Sequence, residues 1–149
     1  MPELLPDWTP GTVAILSTGA GAPHAIPVST GVRAGDRRVL LALALRRESL
    51  SRLREDPRCA LTILAADVAI TALGTARIVE EPLAISDRVC AVAIDVESIQ
   101  DHDQPRFTVE EGVRWRWTDA EAGARDREIR DHLRQLAADE GGAGPRPAG

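Results

Sequence analysis

The segment Arg38–Leu64, RVLLALALRRESLSRLREDPRCALTIL, decides the fold. Val39, Leu41, Leu43 and Leu45 alternate with Leu40, Ala42 and Ala44, so both faces of this stretch are apolar. That is the pattern of a strand buried on both sides. The apolar run ends at Arg46-Arg47. Leu50 and Leu53 then mark the inner side of a short helix, and Arg52, Arg54 and Glu55 mark its wet side. Asp56-Pro57 stops the helix, because a residue before proline is pushed out of the helical region. A second strand, Cys59 to Leu64, follows at once. The basic turn between the buried strand and the helix start offers an anion both guanidinium forks and free backbone N–H groups.

The flanking segments read as further strands. Thr12 to Thr18 (TVAILST) is one, closed by the turn Gly19 to Pro23. His24 to Arg33 is the next, with Ile26, Val28, Thr30 and Val32 on one face. Pro27 within it predicts an edge or bulge position, since proline donates no ladder hydrogen bond. Ala34-Gly35-Asp36 closes a hairpin onto Arg38. After Leu64, Ala65-Ala66-Asp67 leads into Val68–Val79, where Gly74 predicts a bend. Glu80-Glu81-Pro82 breaks that strand. Leu83 to Arg88 fits one or two helical turns. Cys90 to Ile99 alternates as a strand, with a helix continuing from Leu83 as the competing reading. Asp101 to Pro105 is a polar loop. Val113–Trp117 (VRWRW) alternates as a strand, with Val113, Trp115 and Trp117 on one face and Arg114 and Arg116 on the other.

Thr118 and Glu121 form a capping box for a last helix, in which Ile129, Leu133 and Leu136 make the apolar stripe. The expected organisation is an N-terminal arm at 1–11, a barrel domain at 12–117, a C-terminal helix at 118–140 and a disordered tail at 141–149. Trp8 of the arm is expected to cover one end of the core. Strands arrive as hairpins rather than in strand–helix alternation. The predicted fold is therefore mainly β: a six- to seven-stranded antiparallel split β-barrel with one short inserted helix and a C-terminal helix.

Composition narrows the function. A chain of 149 residues is expected to form one domain. Its net charge of −5 opposes a non-specific nucleic-acid binder. All 18 basic residues are arginine, so anion contacts fall to arginine or backbone. Cys59 and Cys90 lie in apolar segments and read as buried free thiols, with a disulfide as the alternative. The opening MPELLPDW does not read as a signal peptide, and no apolar run approaches the roughly 20 residues of a membrane span. A cytoplasmic protein that binds no membrane is the expectation.

Side chains for chemistry are sparse. His24 at a strand start reads as a half-exposed bystander. His102 and Asp103 lack the further His or Cys that a metal site needs, so no metal is expected. No nucleophile elbow, phosphate-binding P-loop or CxxC appears, and there is no tyrosine. The catalytic residues cannot be named from the sequence. If the protein does chemistry, a bound cofactor carries it.

The order of motifs points to a family. TVAILST, PHAIPVSTGV, RVLLALAL, a short helix ending REDPR, CALTIL and a strand carrying GTARIVEEP together resemble the pyridoxamine 5′-phosphate oxidase-like, flavin-binding split-barrel family, over Gly11 to Trp117. The resemblance implies a homodimer that binds FMN in a cleft at the subunit interface. It implies a phosphate seat running from Ala44 and Leu45 through Arg46, Arg47 and Ser49 to the helix start at Leu50. It implies a ring flanked by Pro27, Val28, Ser29 and Thr30, and a Trp115-Arg116 pair reaching the partner's flavin. The family's usual lysine eight residues before the helix-ending proline is Ser49 here, with the basic pair two and three residues earlier. The residues that hold pyridoxamine phosphate in the true oxidase are not recognisable. The implied activity is a flavin-dependent oxidoreductase acting on a small-molecule substrate. The alternatives are a deazaflavin-dependent reductase and a flavin or small-ligand carrier without turnover. A nucleic-acid-binding barrel is disfavoured by the acidic balance.

Overall fold

The computed structural model describes residues 4–143. Seven strands and two helices follow in the order β1 (Ala14–Thr18), β2 (His24–Val28), β3 (Val32–Arg33), β4 (Arg38–Ala44), α1 (Glu48–Glu55), β5 (Arg58–Ala65), β6 (Val68–Glu80), β7 (Val89–Asp101) and α2 (Ala120–Ala143). All pairings are antiparallel, in one sheet ordered β2-β1-β5-β6-β7-β4-β3.

The strand order forces the sheet to curl. Its two edge strands, β2 and β3, are consecutive in sequence, with only Ser29, Thr30 and Gly31 between them. A flat sheet of seven strands would hold its edges about 29 Å apart. The four peptide steps from Val28 to Val32 reach at most about 14 Å. The edges must therefore approach one another, which makes a half-barrel with a split at 29–31. The single strand expected over His24–Arg33 is thus two strands, because the chain crosses from one sheet edge to the other. Pro27 lies on edge strand β2, where its missing N–H costs no ladder bond.

Each residue of the split is tied down. Ser29 Oγ donates to Asp126 Oδ1 at 3.2 Å. Thr30 Oγ1 accepts from the Ala42 amide at 3.0 Å. The Trp8 indole N–H donates to the Gly31 carbonyl at 3.1 Å, and Trp8 packs against the barrel core as expected.

β4 is buried on both faces. Val39, Leu41 and Leu43 enter the barrel core, while Leu40 and, in part, Ala42 lie under α2. β7 repeats the arrangement, with Cys90, Val92 and Ile94 inward and Ala91 and Ala93 under the helix. Ile129, Leu133 and Leu136 form the stripe of α2 that covers this outer face. Full burial of one such side chain contributes about 1.5–3 kcal/mol. Both cysteines are buried free thiols.

Gly74 marks a register shift between β6 and β7, and a Cβ there would collide with the Asp95 carbonyl oxygen. The bend expected at this glycine is therefore a bulge that needs close backbone approach.

Several expectations are corrected. Leu83–Arg88 forms turns instead of helix. The Leu83 amide bonds to the Val89 carbonyl at 2.9 Å and the Ala84 amide to the Glu80 carboxylate at 2.7 Å, so neither is free for a helical ladder. Val113–Trp117 is an extended strap rather than a strand, joined to the barrel by the Val13 amide on the Val113 carbonyl at 2.7 Å and one bridge between Thr12 and Arg114. Among the described residues no further strand pairs with it to complete a ladder. Asp119 rather than Thr118 caps α2, its Oδ1 accepting from the Glu121 amide at 2.9 Å. α1 begins at Glu48, two residues before the expected start. α2 continues through positions 141 and 142 to Ala143, and the rest of the expected tail, 144–149, lies outside the described residues. Among the described residues no helix is long and apolar enough to cross a membrane.

Candidate functional site

The split opens onto a groove of about 360 Å³. Its floor is apolar: Ile26, Pro27 and Val28 from β2, Leu43 and Ala44 from the end of β4, and Val89 from the start of β7. One wall is the strap, with Trp115 and Trp117. The other is the first half of α2, with Ala122, Asp126 and Ile129. Arg47 and Arg125 stand among its lining residues as the cations. The volume suits a small organic ligand, and an apolar floor with a few polar groups is the usual composition of such sites.

The two tryptophans meet edge to face, ring centroids 6.0 Å apart and planes inclined at 71°. Both are more than 40 % exposed, so they fill no core. An aromatic wall left this open has stacking surface to give to a flat ligand. Gly112 sets where the strap can lie, since a Cβ there would collide with the Leu64 carbonyl oxygen.

The mouth of the groove lies beside the start of α1. Arg47 is the N-cap residue, in extended conformation, and no side chain caps the helix. The Leu50 amide turns back onto the Arg47 carbonyl at 3.2 Å and Ser49 is buried, so the exposed Arg47 guanidinium is the group here that remains available to an anion. The side chains of Arg46 and Arg47 make no hydrogen bond or ion pair among the described residues.

The residues expected at the site divide. Pro27, Val28, Ser29, Thr30, Ala44, Arg47 and Trp115 all line the groove. Arg46 is exposed outside it, and Leu45 packs partly against the barrel core. Leu50 is a core residue at 2 % exposure. Ser49 is withdrawn altogether: its side chain is fully buried and its Oγ lies 3.1 Å from His24 Nε2. A phosphate cannot reach that hydroxyl. Its burial follows from the helix starting at Glu48, which turns position 49 inward. Arg116 faces a second groove behind the strap rather than this one. The resemblance implies that the Trp115-Arg116 pair serves a partner subunit, whereas Trp115 here lines the groove of its own chain.

His24 is no bystander. Its Nδ1 lies 3.1 Å from Glu48 Oε2, which also accepts from Arg52 Nε at 2.8 Å. The Arg52 hydrogen bond and charge, followed by the His24 charge, hold the Glu48 carboxyl below its ordinary value. The order Ser49–His24–Glu48 is that of a nucleophilic triad. The serine has no accessible surface, so no acyl donor can meet it. The chain instead ties the first turn of α1 to β2, and Arg52 extends the tie to the Ala22 carbonyl at 2.7 Å.

The polar groove residues of α2, Arg125 and Asp126, were invisible to sequence reading. Asp126 is 9 % exposed, accepts from Ser29 through Oδ1 and pairs with Arg130 through Oδ2. Among the described residues that line the groove it is the one carboxylate, and both its oxygens are engaged. Asp126 lies three residues before Ile129, in line with the apolar stripe, and one more acid in so charged a helix carries no motif that would have singled it out. Among the described residues no cluster of His, Cys, Asp or Glu could hold a metal ion.

Comparison with known proteins gives the fold its relatives. No family model matches the sequence, and no curated protein matches it. Solved structures do match. A protein related to general stress protein 26, of the pyridoxinephosphate oxidase family, from Clostridium acetobutylicum is 15 % identical, with a TM-score of 0.50 over 61 % of this chain and 80 % of that one. An F420 reductase is 11 % identical, with a TM-score of 0.53 over 60 % of this chain and 90 % of that one. A heme-binding protein from Mycobacterium smegmatis is 20 % identical, with a TM-score of 0.50 over 60 % of this chain and 48 % of that one. The barrel split at 29–31, the short helix after β4 and these matches agree: the chain has the split-barrel fold of the pyridoxamine 5′-phosphate oxidase-like and general stress protein 26 proteins.

Proposed function

We propose that this protein is an FMN-binding, flavin-dependent oxidoreductase acting on a small molecule, with the flavin ring in the groove at the split. The observation that carries the reading is the pairing of an apolar, tryptophan-walled groove with Arg47 at the uncapped start of α1. A planar ring needs the former, and a terminal phosphate needs a guanidinium such as that of Arg47. The residues present fit the group. Pro27, Val28 and Ala44 would lie along the ring, Trp115 and Trp117 would shield it from water, and Arg47 with Arg125 would take the phosphate. This seat differs from the one implied by resemblance, because Arg125 replaces Ser49 and Arg46.

When bound, FMN supplies hydride or electron transfer. The chain supplies binding, orientation and exclusion of water. It offers no free acid or base in the groove, since Asp126 is held by Ser29 and Arg130. That absence is also what a carrier without turnover would have. A deazaflavin is the second cofactor reading, supported by the F420 reductase of like fold. Heme is less well served: no His, Cys, Met or Tyr lines the groove to ligate an iron.

The active form in this reading is a cytoplasmic homodimer. Ile15 on β1 and Leu64 on β5 stand exposed, as does Val113 of the strap beside them. Apolar surface of this kind is covered readily by a second copy. Sedimentation at micromolar concentration is expected to give twice the chain mass, and a monomer there ends the dimer proposal.

The test is direct. The purified protein, denatured, is expected to release FMN identified by mass and by absorption near 450 nm (approximate for an oxidised flavin). Alternatively, the protein as purified takes up added FMN with micromolar affinity. Failure to bind FMN or a deazaflavin in titration refutes the reading. Reduction of the bound flavin by NADPH with turnover of a substrate separates enzyme from carrier.

A further inference from the structure

Behind the tryptophan strap lies a second groove, of about 540 Å³, separated from the first by Trp115, Trp117, Ser29 and Asp126. We infer that this groove binds a small, multiply charged oxyanion, carrying phosphate or carboxylate groups, through Arg114, Arg116 and Arg127. The inference does not depend on the flavin proposal.

Charge is the first argument. The chain carries a net −5, yet four arginines converge here: 114, 116, 127 and 130. Arg130 is neutralised by Asp126, and Asp119 is turned to cap α2. The side chains of Arg114, Arg116 and Arg127 make no hydrogen bond or ion pair with any described residue. Most other arginines of the chain are paired, including Arg33, Arg38, Arg52, Arg54, Arg58 and Arg77. Three cations facing one cavity repel each other unless an anion sits between them, and planar guanidinium forks match oxyanions two bonds at a time.

Geometry is the second argument. The strap is fixed by backbone contacts at Thr12, Val13 and Leu64, so Arg114 and Arg116 are presented from an anchored segment. Arg127 lies along its own helix, with Nη1 3.7 Å from the point a Cβ at Gly123 would occupy, and the Arg130 guanidinium lies 3.8 Å from the corresponding point at Gly11.

The experiment uses the full chain without flavin. Inorganic pyrophosphate and citrate are titrated by calorimetry and by fluorescence, which reads Trp115 and Trp117 in the groove wall. The expected result is dissociation below about 1 mM for one or both, weakening as salt is raised. Pyrophosphate alone points to a phosphorylated ligand, citrate alone to a polycarboxylate. The double variant Arg116→Gln with Arg127→Gln is expected to bind at least tenfold more weakly. The control Arg134→Gln, which removes one charge outside the groove, is expected to bind as the parent does. No binding of either probe at 10 mM, or equal binding by the double variant, overturns the inference. Both exchanged side chains are exposed, so the variant is expected to keep its thermal transition, which checks that it folds.

Discussion

Ser29 Oγ donates to Asp126 Oδ1 at 3.2 Å across 97 positions of sequence. The bond joins the split of the barrel to the helix that covers it. It also stands in the wall between the two grooves. Ser29 is 5 % exposed and Asp126 9 % exposed, so neither group has water as a ready substitute partner.

Breaking this tie tests its weight. Asp126→Ala leaves the Arg130 guanidinium and the Ser29 hydroxyl without their partner, and the expected loss is about 2–3 kcal/mol in urea denaturation. Ser29→Ala removes only the neutral partner, and about 1 kcal/mol is expected. A loss under 0.5 kcal/mol for Asp126→Ala, at about the noise of surface substitutions, means that α2 is held by its apolar stripe alone.

The flavin seat makes a separate prediction. Arg47→Ala is expected to weaken FMN about tenfold, or about 1.4 kcal/mol, and to leave riboflavin binding unchanged. Equal weakening of both ligands places the phosphate elsewhere.

Gly74 and Gly112 both sit where a Cβ would strike a carbonyl oxygen, of Asp95 and of Leu64 respectively. Gly74→Ala disturbs the β6–β7 bulge in the barrel, and a loss of at least about 2 kcal/mol is expected. Gly112→Ala displaces only the strap. It is expected to lower ligand affinity in both grooves with a smaller change in melting temperature. A variant with wild-type affinity would show that the strap does not shape either groove.

The thiols report on the core. Burial pushes the Cys59 thiol up to about 12, and burial also raises Cys90. A thiol so far above neutral pH provides almost no thiolate. Neither cysteine is expected to react with a disulfide reagent at pH 8 in the native protein, whereas both react after denaturation. Fast reaction of one native thiol would show that the barrel opens locally.

Acid sensitivity has a definite sign. The Arg58 side-chain hydrogen bond, helped by the Arg58 amide, lowers Asp56 from 3.8 to about 2. A carboxyl depressed in the folded state stabilises above its ordinary value, and that stability is lost as pH falls toward about 2. Asp56 ties the end of α1 to the start of β5, through its Oδ1 on the Arg58 amide at 3.1 Å. Its partner Arg58 is exposed, which makes the contribution small and salt-sensitive. The carboxyl carbon of Asp56 is expected to titrate by NMR well below an ordinary aspartate, and to move toward the ordinary value in Arg58→Ala. An unshifted midpoint in the parent contradicts this pairing.

Local chemistry made much of the barrel legible. Val39 to Ala44, apolar on both faces, had to be covered twice, and the barrel core and α2 do so. Asp56-Pro57 stopped α1, Gly74 marked the β6–β7 irregularity, and the proline at 27 required an edge. These features rest on short-range sterics and on residue periodicity, which neighbouring residues determine.

Tertiary structure decided the rest. VRWRW alternates like a strand, but a strand needs a neighbour to supply its hydrogen bonds, and only one bridge is available to it. Ser49 read as a phosphate ligand until the helix register turned its hydroxyl toward His24. The pairing of Ser29 with Asp126, and the gathering of Arg114, Arg116 and Arg127 around one cavity, join segments that nothing local relates. The sequence by itself determined the strands at β1, β4, β5 and β6, where α1 ends and which faces of these segments are apolar, because those depend on backbone sterics and side-chain order. Only the curled sheet decided which polar groups meet at the split, because that depends on two edge strands being brought together by a three-residue link.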